Sequence, residues 1–142
     1  MFHRARRCLT RLGLIAVRTM RRRRSVPVTV YLANDPLAML TGYTRGTAVT
    51  LADRFDLDLT PRLADTALLE RVFARDTGGP DDVVLGRIFD ALNDHPEPGD
   101  EHLTDRWYRS GRRSLSVGDV VALGPSHYAC AAIGWEPIAR PD

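Results

Sequence analysis

The sequence predicts an α+β fold: a small antiparallel sheet with a C-terminal β-hairpin, packed against two or three helices. Three observations predict it. An alternating strand pattern opens the folded part near Val28, apolar stripes at helical spacing and bounded by proline and glycine fill the middle, and short apolar runs separated by glycine turns close the chain after Ser114. With 44% hydrophobic and 27% charged residues in a chain of 142, the composition is that of a folded protein with one core. The reading divides the chain into residues 1–25, a basic arm expected to be disordered or to form a surface helix, and residues 26–142, a single α+β domain.

In the arm, Leu9, Leu12, Ile15 and Val17 share a helical stripe flanked by Arg7, Arg11 and Arg18. Met20 offers an alternative start that would remove most of this segment. After Pro27, the apolar residues Val28, Val30 and Leu32 alternate with Thr29 and Tyr31, the period of a half-buried strand. Asp35-Pro36 followed by Leu37, Met39, Leu40 and Gly42 places a cap, a first-turn proline and a glycine stop in the order of a short helix. Residues 48–51 read as a second short strand, and Asp53, Asp56 and Asp58 read as the polar turn that ends it. Thr60-Pro61 repeats the cap signal before the stripe Leu68, Leu69, Val72 and Phe73, predicting a second helix that stops near Gly78-Gly79.

Leu85, Ile88, Phe89 and Leu92 fall at i, i+3, i+4 and i+7, with Asp81 and Asp82 suited to the positive end of the helix dipole. A third helix is expected there. Residues 94–101 hold two prolines, a glycine and several acids, and are expected to form an exposed loop. Thr104 reads as the cap of a further helical turn in which Asp105 and Arg109 pair. The tail reads as β-structure: a run ending in Val120, Val121 and Leu123, a turn at Gly124-Pro125-Ser126, a strand from His127, a turn at Gly134 and a closing strand from Trp135.

Charge is unevenly distributed. Nine of the twenty basic residues precede Ser25, where there is no acid, which leaves the rest with eleven basic and all eighteen acidic residues, a balance of −7. All twenty are arginine, a bias expected of a GC-rich genome before any choice for phosphate. Cys8 and Cys130 lack the spacing of a zinc site or a disulfide framework, so a reducing, cytoplasmic setting is expected. The apolar run 12–17 is shorter than a signal-peptide core and far shorter than the roughly 20 residues of a membrane span, so no membrane contact is expected.

The most distinctive segment is Arg112-Arg113-Ser114-Leu115-Ser116-Val117-Gly118-Asp119-Val120-Val121. Gly118-Asp119 before an apolar run is how a chain enters a buried strand from a tight turn, and an architectural role is the plainer reading of it. Ser114 to Val121, followed by Tyr128 and then Gly134-Trp135, resembles the signature of YodL-like domains, and more closely the same tail in short actinobacterial proteins. The resemblance spans residues 26–138 and is specific in its last quarter. Gly118 stands where the family motif has a serine, and the helical pair between Thr60 and Asn93 is longer than the family's single helix. The resemblance implies a setting among mobile genetic elements, with Ser114, Ser116, Gly118, Asp119, Tyr128, Gly134 and Trp135 as motif residues, and it implies no activity.

Arg106, Trp107, Tyr108, Arg109, Arg112 and Arg113 interleave cations with aromatics, as a site that grips a phosphate backbone and stacks a base requires. With Arg21, Arg22, Arg23 and Arg24 of the arm, they are the candidate nucleic-acid-binding residues. The alternative is that an aromatic anchors the core while the arginines neutralise nearby acids. His95 and His102, with Asp94, Glu97, Asp100 and Glu101, could be imagined as a metal site, but loop histidines seven apart have no fixed geometry. His127 and Cys130 would point to opposite faces of a strand. Gly78-Gly79-Pro80 before a helix could admit an anion, but Asp81 and Asp82 would repel it. No serine elbow, cysteine–histidine pair or phosphate loop is present, and no catalytic residue, metal or cofactor is assigned. The expected function is a non-enzymatic accessory or binding module contacting nucleic acid. The alternatives are a protein-interaction module without nucleic-acid contact and a metal-dependent enzyme.

Overall fold

The computed structural model describes residues 25–59 and 80–142. The arm with Arg21 to Arg24, and the helix expected after Thr60, lie outside them. Five strands form one antiparallel sheet, β1 (Ser25–Ala33), β2 (Val49–Asp58), β3 (Val120–Leu123), β4 (Ser126–Cys130) and β5 (Trp135–Ile138), in the order β2-β1-β3-β4-β5. The helices are α1 (Ala38–Thr41), α2 (Pro80–Ala91) and α3 (Glu101–Arg109). This is the expected α+β architecture, including the C-terminal hairpin.

Strand β1 is central because its alternation serves two neighbours. Val28 lies opposite Phe55 and Leu123, and Val30 opposite Asp53 and Val121. Val28, Val30, Leu57, Val121 and Leu123 turn one sheet face into the core, where Leu85, Ile88 and Leu92 of the α2 segment meet Leu103 and Trp107 of α3. Ile88 and Leu85 are fully buried, as the helical spacing required. Burying a side chain of this size contributes roughly 1.5–3 kcal/mol.

Three expectations are corrected. The acids Asp53, Asp56 and Asp58 do not end the second strand, because β2 runs through all of them to Asp58. Asp56 and Asp58 take exposed positions alternating with Phe55 and Leu57, while Asp53 is neutralised by Arg106 at 2.6 Å. The loop 94–101 is not wholly exposed: Asp100 is fully buried and accepts two hydrogen bonds from Arg87, at 2.5 and 2.8 Å. Thr104 does not cap α3. It lies within that helix and donates to Ala91 O at 2.6 Å, while Asp100 stands at the cap position with its carboxylate turned to Arg87.

Candidate functional site

Helix α3 is tied to the end of α2 by two hydroxyls. Thr104 donates to Ala91 O, and Tyr108 donates to Leu92 O at 3.1 Å. These bonds satisfy carbonyls that a helix end leaves open. They also place the start of the 112–119 segment beside the junction, where Ser114 Oγ lies 2.7 Å from Tyr108 OH. The result is a cleft of about 700 Å³ lined by Asn93, Asp94, Thr104, Asp105, Tyr108, Arg109 and Ser114. Tyr108 and Arg109 of the aromatic–arginine cluster and Ser114 of the SLSVGDVV-type motif, singled out on separate grounds, meet here.

The rest of the cluster is committed elsewhere. Trp107 is 1% exposed, and its Nε1 donates to Arg113 O at 2.9 Å, so it anchors the core and offers no face for stacking. Arg106 holds Asp53, and Arg112 lies 3.8 Å from the same carboxylate and 5.2 Å from the Trp107 ring centre. Arg113 grips Asp119 and also donates to Ala33 O at 3.1 Å. The hydrogen bond to Asp119 raises the Arg113 pKa above its already high ordinary value. The Arg109 side chain has no hydrogen-bond or ion-pair partner among the described residues, and the expected Asp105–Arg109 pair is not formed there.

The motif residues are architectural in their contacts. Ser116 N donates to Asp119 Oδ2 at 2.8 Å, and Gly118 N donates to Cys130 O at 2.9 Å. Tyr128 OH donates to Asp81 at the start of α2 in a short hydrogen bond that raises the tyrosine pKa. Gly134, at φ 72°, makes the β4–β5 turn, and Trp135 packs edge-on against Phe89 at 6.2 Å. Burial pushes the Cys130 thiol up to about 11, so it is a protonated core group at neutral pH.

Asn93, Asp94 and Asp105 acquire a significance that the sequence reading did not assign them. The available signal was an Asn-Asp pair directly after a helical stripe, where glycine usually stops the helix. Asp94 has a positive φ of 64°, and Asn93 Nδ2 is buried without an acceptor. Neither the Asp94 nor the Asp105 side chain has an ion-pair or hydrogen-bond partner among the described residues. The imagined metal set is not assembled: Asp100 is bound to Arg87, and among the described residues no group of three or more His, Cys, Asp or Glu side chains is placed to hold an ion.

The sheet edges carry features that discourage strand addition. On β5, the bond from Ala131 N to Gly134 O sets the alternation so that Pro137 turns its nitrogen, which has no hydrogen, to the open side. On β2, a register shift between Val30 and Tyr31 accompanies the exposed charges Arg54, Asp56 and Asp58. No helix among the described residues is long and apolar enough to cross a membrane. Comparison with protein-family models, with curated proteins and with solved structures finds no match to this chain.

Proposed function

We propose that this chain is a non-enzymatic binding module that receives a basic segment of a protein partner in the cleft between α2 and α3. The observation that carries the reading is a contrast of commitments. Arg106, Arg112 and Arg113 are turned to internal carboxylates, while Asp94 and Asp105 line the cleft, beside Arg109, without an ion-pair partner among the described residues. A domain whose residues from Ser25 onward carry a balance of −7 attracts basic partners over a longer range than any single pair. The resemblance to YodL-like domains belongs to the same proposal and suggests a setting among mobile elements.

A second reading, contact with nucleic acid, is favoured by one observation: the nine arginines without an acid ahead of Ser25. Of the Arg106–Arg113 patch, it retains Arg109 as the member without an internal partner. One experiment separates the readings. Fluorescence anisotropy of the full chain is followed with a labelled basic peptide and with labelled single- and double-stranded oligonucleotides, each at two salt concentrations. Peptide binding supports the module reading. Oligonucleotide binding with no peptide binding replaces it with the second.

A further inference from the structure

We draw no further inference here: the strongest candidate, the exposed apolar patch of Leu37, Met39 and Leu40 on and beside α1 in the connection between β1 and β2, carries nothing because nothing in the structure shows what covers it.

Discussion

Arg113 grips Asp119 with two parallel hydrogen bonds, Nη1 to Oδ2 at 2.7 Å and Nη2 to Oδ1 at 2.8 Å. Asp119 is fully buried, while the Arg113 side chain is 39% exposed, so the two partners are not equivalent. The carboxylate also accepts from Ala33 N and Ser116 N, each at 2.8 Å, and thereby joins the end of β1 to the loop that leads into β3. Asp119→Asn keeps the shape but turns a donor toward groups that themselves donate, and should lower stability by about 3 kcal/mol. Arg113→Gln leaves the two backbone donors in place and should cost about 1–2 kcal/mol. Urea unfolding midpoints check the order; equal losses would mean that the ion pair, and not the backbone capture, carries the junction.

Gly118 supports the same junction from the other side. At φ +93°, a Cβ added there would lie 2.8 Å from both the Cβ and the carbonyl oxygen of Ala38, so α1 docks against the missing side chain. Gly118→Ala should cost about 2–4 kcal/mol, combining left-handed strain with the clash. Gly111 has a similar φ of +73° with nothing within 4 Å, so Gly111→Ala should cost only about 1 kcal/mol. Thermal melts of the two variants measure the difference, which isolates the contact with α1. A serine at this position would bring the same Cβ, so Gly118 is matched to the way this chain seats α1.

How much of this was legible in the sequence depended on whether the cause was local. Strand β5 and the Gly134 turn were readable because alternation and a glycine dictate them within a few residues, and α2 was readable from its own stripe. The sequence pattern ends β2 too early because its acids are tolerated for non-local reasons: Asp53 is neutralised by Arg106, 53 residues away. Asp100 has the local pattern of a solvated loop acid, but Arg87, 13 residues earlier, binds it in the interior. In the aromatic–arginine cluster, local pattern could not say which ring goes inward. Trp107 does so because α3 packs against the sheet, and that leaves Tyr108 at the cleft.

Alkaline pH should destabilise the fold through two identifiable groups. Tyr128 and Cys130 are neutral when protonated, and both have pKa values raised in the folded protein, the first by its bond to Asp81 and the second by burial. The folded chain therefore keeps protons that the unfolded chain releases. The thiol contribution is complete below its ordinary value of 9.0 and is lost as pH climbs to about 11, and the tyrosine contribution is complete below 10.0 and is lost above it. Urea midpoints should fall across that window. Cys130→Ala should flatten the thiol part of the slope, and Tyr128→Phe should flatten the part that lies above the ordinary tyrosine value of 10.0. A wild-type midpoint unchanged across the window would show that neither proton matters to stability.

Arg109 decides between the two readings of the surface by the sign of a single effect. It lies in the last turn of α3, where a cation meets the negative end of the helix dipole, so Arg109→Gln should cost a few tenths of a kcal/mol, about 0.3–0.5. It also lines the cleft and repels any cation approaching Asp94 and Asp105. Removing its charge should therefore tighten binding of a basic peptide about twofold while slightly lowering the melting temperature, because a screened like charge at the rim is worth only a fraction of a kcal/mol. A nucleic-acid site that uses Arg109 must respond in the opposite direction, since losing one phosphate contact weakens binding and reduces its salt dependence. Parallel titrations of Arg109→Gln with the basic peptide and with an oligonucleotide measure both signs on one preparation. Tighter peptide binding with unchanged oligonucleotide binding assigns the cleft to a basic partner, and weaker oligonucleotide binding with unchanged peptide binding assigns Arg109 to phosphate.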